Sequence, residues 1–385
     1  MIENFDMNSK ARALNTPILP GATIGILGGG QLGRMLALAA KPLGYRVAIL
    51  DPHHDCPAVS VADVVVTGEF GDIAALAEFA QSCDVVTLEF ENVPAGGLAF
   101  LESLLPVRPS KRVLETLRDR IVEKSFVNAA GVETAPWAEV RSSGDFGKAS
   151  SLGFPAILKT ATLGYDGHGQ TRVHSLEELS AAFTRFNAPC VLEGLVDFQT
   201  EVSVIVARSS AGEVKVFDVF ENHHVSGVLD TTRIPASIAQ EVQREAQRIA
   251  LELAARLEVI GLVCVEFFVT RDGRVIVNEL APRPHNSGHL TIEACGTSQF
   301  EQVIRAVCGL PLGDVRARGP AAMANLLGDL WQDSQPNWSA ALETGAKLHL
   351  YGKQGARAGR KMGHLTALGE DALEVVKAAR AALQG

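Results

Sequence analysis

At 385 residues with 47% hydrophobic content, the chain can bury two or three cores and has the composition of an ordinary globular protein. The balance of 35 basic against 44 acidic residues gives a formal charge of −9, which speaks against nucleic acid or an anionic membrane surface as a main partner. Six cysteines (Cys56, Cys83, Cys190, Cys264, Cys295 and Cys308) are scattered without a CxxC pair, several inside apolar runs, so they read as reduced core residues of a cytoplasmic protein rather than zinc ligands or disulfides. No apolar run approaches the ~20 residues of a membrane span, and the opening MIENFDMNSKARALNTPILPG has no secretory apolar region.

From Thr23 the pattern is strand, helix, strand: TIGIL, a glycine-rich turn, Gln31 to Lys41, then Tyr45 to Leu50 running into Asp51. Gly28-Gly29-Gly30-Gln31-Leu32-Gly33 satisfies GxGxxG between a strand and a helix, with Asp51 near the dinucleotide-binding distance. An NAD or FAD site is one reading. The more general one is a small-residue turn whose backbone N–H groups approach some anion. Further alternation follows at Asp63 to Thr67, Asp72 to Gln81 and Asp84 to Leu88, ending in Glu89-Phe90-Glu91-Asn92. In an open parallel sheet this position faces the ligand crevice, so Glu91 and Asn92 join Gln31 as candidate contacts; a helix-capping turn before Pro94 explains them equally well. Pro106 to Ser110 breaks the periodicity, and the first domain is expected to span residues 1–110.

A second unit, 111–201, holds a charged amphipathic helix from Arg118 to Ala130, strands near Trp137 to Arg141 and Phe154 to Lys159, and then Thr160 to Gln170, TATLGYDGHGQ. A lysine delivered by a buried strand and followed by a glycine-rich loop suits a lid over phosphates, although no GK[ST] follows and a plain hairpin tip is the bland alternative. In the strand Cys190 to Val196, Glu193 interrupts an apolar run; it and Glu201 are placed either to accept bonds from a nucleoside or to keep an edge strand soluble.

The third unit, 202–320, contains strands Val202 to Arg208 and Val214 to Phe220, the segment Glu221-Asn222-His223-His224, and a long amphipathic helix from Ile238 to Leu257 expected to cover a sheet. Its centre is Leu262 to His289. Apolar runs flank Asp272-Gly273, a dipeptide favouring a two-residue type I′ hairpin. That turn pairs Arg271 with Arg274, so Glu266 faces Glu279 across the ladder. Facing carboxylates repel, and a hard cation such as Mg²⁺ between them is the simplest reason for keeping them. Two prolines then stop the strand in a polar loop carrying Arg283, His285, Asn286 and Ser287, suited to a small anion. A helix is expected over Leu290 to Val307. The last unit, 321–385, reads as short strands with a basic cluster of Lys353, Arg360 and Lys361, either a phosphate site or a solvated face, followed by a helix from Asp371.

Taken together, GILGGGQLGRM, KTATLGYDGHGQ, EVSVIVAR, ENHHVSGVL, NELAPRPHNSGH and GRKMGHLT, in this order from about Thr23 to Leu368, resemble the ATP-grasp ligases. The branch they resemble carboxylates an aminoimidazole nucleotide in purine biosynthesis. The resemblance implies an α/β and α+β ATP-grasp fold: a Rossmann-like N-terminal domain, a small lid, a catalytic domain and a small β-rich module. It implies ATP, Mg²⁺, bicarbonate and 5-aminoimidazole ribonucleotide as reactants and a homodimer as assembly. Glu266 and Glu279 are then the Mg²⁺ ligands. Arg108 and Lys159 contact the triphosphate, Glu193 with Leu195 and Val196 meets adenine, Glu201 meets the ribose, and His224 and Asn278 lie by the phosphates. Arg283, His285, Asn286 and Ser287 hold bicarbonate and carboxyphosphate. Gln31, Glu91, Asn92, Tyr165, Lys353, Arg360 and Lys361 hold the nucleotide substrate, with Asp166 a candidate to orient or deprotonate its amine. One departure stands out: His168 occupies a lid position where a lysine or arginine is expected, and an imidazole there titrates near neutral pH. Another ATP-grasp carboxylase or ligase, an NAD-dependent oxidoreductase and a nucleotide sensor are the alternatives.

Overall fold

The computed structural model describes residues 16–164, 169–332 and 335–384. At the N-terminus, four parallel strands lie in the order Val64–Thr67, Arg46–Asp51, Thr23–Leu27, Val85–Leu88. These strands are short apolar runs that pack a helical layer on each face, which is why they read as continuous rather than alternating. The first strand sits between the second and the last, so the crevice past the strand ends opens where Gly28 to Gly33 meets Glu89 to Asn92.

A second, antiparallel sheet orders Trp137–Val140, Cys190–Gly194, Ala156–Thr160 and Gln170–Val173. Its strand Ala156–Thr160 ends at the loop that carries Tyr165, Asp166 and His168; those three expectations lie outside the described residues.

The third sheet has nine strands. It runs from Val275–Ala281 through Gly261–Thr270, Phe198–Arg208, Phe220–Val225, Val228–Ile234, Ala321–Leu327 and Lys361–Leu368 to Lys347–Leu350, with Val214–Val216 paired beside Phe198–Arg208. Alternation along its central strands sorts two cores. Val202, Val204, Val206, Val263, Val265 and Phe267 face the helix Gln240–Leu257 through Ile249, Leu253 and Leu257. Ile205, Ala207, Leu262 and Cys264 face the helix Gln299–Cys308 through Phe300, Val303, Ile304 and Val307. Each fully buried aliphatic side chain of this kind contributes roughly 1.5–3 kcal/mol. The long helix does cover the sheet carrying the hairpin, and all six cysteines are buried and free.

Three points add to or change the expectations. The strands of the small C-terminal module form no sheet of their own: Ala321–Leu327 pairs with Val228–Ile234 and extends the large sheet. The helix expected over Leu290 to Val307 is broken into Thr291–Ala294 and Gln299–Cys308. Gly296 lies in the break, where a Cβ would come 2.9 Å from the Asp314 carbonyl oxygen, and Ser298 caps the second piece by accepting from Glu301 N. The third change is the hairpin turn, which bears directly on the site.

Candidate active site

Glu266 and Glu279 are cross-strand partners, as the register arithmetic requires, but by a different route. The turn has three residues rather than two: Thr270 N donates to Arg274 O, and Gly273 sits at φ +82° in the left-handed region that glycine tolerates. That turn shifts the pairing by one residue, so Phe267 pairs with Val277. An irregularity at Asn278 inserts one residue and restores Glu266 opposite Glu279. Alternation puts both carboxylates on the face that Leu262 and Cys264 line deeper in the core, with Phe268 stacked on Phe198 beyond them at 4.7 Å.

Around this pair the structure assembles charges from distant parts of the chain. Asp119 caps the helix Arg120–Ala129 by accepting from Ile121 N and Val122 N, which fixes the first turn. Arg120 on that turn donates from Nη1 to Glu279 at 2.8 Å and from Nη2 to the Gly164 carbonyl, where the lid loop begins, at 3.3 Å. Burial would push the Glu279 carboxyl up, but Arg120 holds it down at about 2, so it is ionised. One turn on, Glu123 accepts from Leu280 N at 2.5 Å, and burial pushes its carboxyl up to about 8. Lys124 is 1% exposed and lies 3.0 Å from Glu193, whose other oxygen is 2.8 Å from Lys159 Nζ. Burial opposes the charged form of Glu193 as well, and the two ammonium groups outweigh it, bringing its carboxyl to about 2.

The polar loop closes the other side. Arg283 forms a two-pronged ion pair with Glu91, joining the N-terminal crevice to this loop. His285 Nε2 is 2.6 Å from Glu266, and its Nδ1 is 2.8 Å from Ser287 Oγ. Asn286 is buried with both amide atoms lacking a hydrogen-bond partner, and Asn278 keeps a buried Oδ1 in the same condition. His224 Nδ1 lies 2.6 Å from Glu201; burial alone would push that imidazole down, and the bond to the carboxylate raises it. Lys353 Nζ reaches Gln31 Oε1 at 2.6 Å and the Lys361 carbonyl at 2.8 Å, so Gln31, Lys353 and Lys361 converge across more than 300 residues of chain. Leu195 and Val196 lie in the connection between the lid sheet and the large sheet, with Leu195 exposed. Asn92 is half-buried beside Glu91.

Three side chains sit differently from the sequence reading. Arg108 is 4% exposed and donates from Nη1 to the Val307 carbonyl at 2.6 Å, capping the last turn of the helix Gln299–Cys308. The carboxylate of Glu193 is engaged by two lysines, which leaves it to position Lys159. Arg360 donates to the Gln354 and Gly355 carbonyls of its own loop. The residues missed are Arg120, Glu123 and Lys124. Their signal was in the sequence: charges at i, i+3 and i+4 share one helix face, and Glu123 and Lys124 lie among the buried positions Ile121 and Val127.

The glycine-rich turn is also already filled. Gly29 N donates to Asp51 at 2.7 Å, and Gly30 N and Gly33 N donate to the two oxygens of Glu89 at 2.5 and 2.7 Å. A Cβ on Gly30 would lie 2.5 Å from Glu89 Oε1. The anion this turn approaches is the protein's own carboxylate, which removes the structural basis for a dinucleotide pyrophosphate there.

Mg²⁺ suits the donor set at the hairpin: two facing carboxylates, one held ionised by Arg120, and the buried, unpartnered amide oxygen of Asn278, all hard oxygen ligands.

Comparison with known proteins identifies three stretches of the chain. Residues 21–118 match a ribonucleotide synthetase preATP-grasp domain, 125–300 an ATP-grasp domain, and 321–378 a phosphoribosylaminoimidazole carboxylase C-terminal domain. The chain is 48% identical over 355 residues to the N5-carboxyaminoimidazole ribonucleotide synthase of Brucella melitensis biotype 1, covering 91% of this chain and 97% of that one. The N5-carboxyaminoimidazole synthetase of Staphylococcus aureus complexed with ADP superposes with a TM-score of 0.89 at 38% identity, over 97% of this chain and 100% of the other. The Aspergillus clavatus synthase in complex with ADP and 5-aminoimidazole ribonucleotide gives 0.85 at 30% identity, over 96% and 99%. The chain belongs to the N5-carboxyaminoimidazole ribonucleotide synthase family of ATP-grasp proteins.

Proposed function

We propose that this protein is an ATP-dependent carbon–nitrogen ligase that carboxylates 5-aminoimidazole ribonucleotide with bicarbonate, by way of carboxyphosphate, in purine biosynthesis. The observation that carries this is the meeting of Arg120, Lys159, the Glu266–Glu279 pair and the Arg283 to Ser287 loop in one cleft. Bicarbonate is a poor electrophile and must be activated. Lys159 and Arg120 supply fixed positive charge for the triphosphate, and Glu266, Glu279 and Asn278 would hold Mg²⁺, which neutralises phosphate charge during transfer. Arg283 has the planar fork to grip bicarbonate and then the carboxyl group of carboxyphosphate, Asn286 offers two free amide atoms, and Ser287 anchors His285. His285 is placed to assist breakdown to CO₂ and phosphate. Glu201 and His224 are assigned to the ribose and phosphates, Leu195 and Val196 to adenine. Glu91, Asn92, Gln31, Lys353, Lys361 and Arg360 are assigned to the aminoimidazole nucleotide. Tyr165 and Asp166 are assigned by resemblance alone. The relative crystallised with ADP and 5-aminoimidazole ribonucleotide supports that substrate pair. The reading extends to four units (1–110, 111–201, 202–320 and 321–385), a homodimer and a cytoplasmic location. Among the described residues no helix is long and apolar enough to cross a membrane.

Steady-state ADP release tests the reading. It should require Mg²⁺, bicarbonate and 5-aminoimidazole ribonucleotide together, and background release with all three present overturns it.

A further inference from the structure

The loop that carries Arg283 to Ser287 has few backbone donors of its own, because Pro282 and Pro284 have no N–H and end the strand before it. A side chain from another element holds it instead. Gln299 Oε1 accepts from His285 N at 2.9 Å, and Gln299 Nε2 donates to His285 O at 2.7 Å. A backbone N–H can only donate and a carbonyl can only accept, so the amide of Gln299 has one orientation here. Gln299 thus pairs with both main-chain groups of His285, as a residue of an adjoining antiparallel strand does.

Both sides of this pair are anchored. Gln299 is fully buried at the start of the helix Gln299–Cys308, where its own N–H donates to Thr291 Oγ1 at 2.9 Å. That helix packs on the large sheet through Phe300, Val303, Ile304 and Val307. On the loop side, Gly288 passes so near that a Cβ there would lie 2.5 Å from Gln299 Oε1 and 2.4 Å from Ile205 Cδ1. One turn along the same helix, Gln302 is equally buried and makes the same pair of bonds with Gly313. It accepts from Gly313 N at 3.0 Å and donates to Gly313 O at 2.8 Å. The segment held by Gln302 carries none of the site residues. One helix therefore offers two like clasps, one on the anion loop and one away from it.

We infer that Gln299 is a positioning residue. By seating the His285 backbone it sets the directions in which Arg283, Asn286 and Ser287 leave the loop, and so the shape of the bicarbonate site. The bicarbonate role rests on the proposed function above; the seating of the loop does not. A displacement of about 1 Å at such a site can cost as much as ~10²-fold in rate, so a clasp on the backbone has a large lever on turnover.

The test pairs Gln299→Met with Gln302→Met, which keep the side-chain length and lose both bonds. Amide hydrogen exchange read by mass spectrometry should rise over residues 283–290 in the first variant and over 310–314 in the second. Melting temperatures should fall by similar amounts in both. In Gln299→Met, kcat/KM for bicarbonate should drop about tenfold or more while KM for ATP stays unchanged; in Gln302→Met both constants should hold within about twofold. Gln299→Asn keeps the amide but falls one methylene short of His285, and it gives the same comparison should the methionine variant fail to fold. Unchanged exchange over 283–290 in a folded Gln299 variant, or a bicarbonate constant that falls equally in the Gln299 and Gln302 variants, overturns the inference. If wild-type ADP release needs no bicarbonate, the proposed reaction fails instead, and the exchange measurement alone decides whether Gln299 seats the loop.

Discussion

Two parts of this molecule are built to receive negative charge, and they are used in opposite ways. At the turn Gly28 to Gly33 the acceptors are permanent: Asp51, buried, and Glu89, partly buried, are chain residues bound by backbone N–H groups too close for any foreign phosphate. At the hairpin and the loop after it, cations and carboxylates are held in pairs of side chains, Arg120 with Glu279 and Arg283 with Glu91, in a half-open cleft. Backbone donors cannot swing away, whereas a long side chain can exchange one carboxylate for a substrate anion of the same geometry. The first arrangement holds two elements of the fold together, and the second leaves partners that a ligand can replace.

Substitutions sharpen the contrast. The largest effect is expected from Glu279→Gln, which keeps the shape but removes the charge opposite Glu266. Mg²⁺-dependent turnover should fall by about 10²–10³ in a protein that still melts cooperatively, at a somewhat lower temperature because Arg120 loses its partner. Wild-type turnover in that variant removes the metal role from the hairpin. At the turn the effect should appear in stability instead. Gly30→Ala puts a Cβ 2.5 Å from Glu89 and should cost about 1–3 kcal/mol in denaturant unfolding. An unchanged midpoint means that the turn yields and is not the rigid seat described.

Arg283→Lys retains the charge without the fork, so kcat/KM for bicarbonate should drop about tenfold while KM for ATP holds. Equal loss in both constants places Arg283 on the nucleotide. The smallest effect concerns pH. Burial raises the Glu89 carboxyl above its ordinary range, so the folded state favours the protonated form. The stability that Glu89 adds is therefore complete below the ordinary carboxylate range and is lost as pH rises through the raised value. Glu89→Gln does not titrate and sets an amide N–H against a backbone N–H, costing about 1 kcal/mol at low pH. Its deficit against wild type should narrow as pH rises. A constant deficit in melts from acid to neutral pH contradicts this assignment.

The hairpin shows how far sequence reasoning carries. Asp272-Gly273 marks a turn, and the apolar runs on either side mark strands, so Glu266 opposite Glu279 was within reach. The route was not. A three-residue turn and an extra residue at Asn278 each move the register by one in opposite senses, and only the balance of the two preserves the pair. The bond from Arg108 to the Val307 carbonyl, 199 residues away, could not be read from an arginine past a strand end. Arg120 and Lys124 were passed over because a charged helix face normally means solvent.

What the sequence determined by itself is local and periodic: the strand and helix runs, the turn residues, the buried cysteines, and motifs whose order along the chain fixes the family. The tertiary structure decided the partners. Glu89 filling the glycine turn, Lys124 beneath Glu193, Arg283 on Glu91, and the C-terminal strands extending the large sheet join residues from 56 to 192 positions apart. Ionic groups keep no period that marks their mates, because a carboxylate accepts any cation that the fold delivers. Which cation arrives is settled only when the sheets and helices have packed.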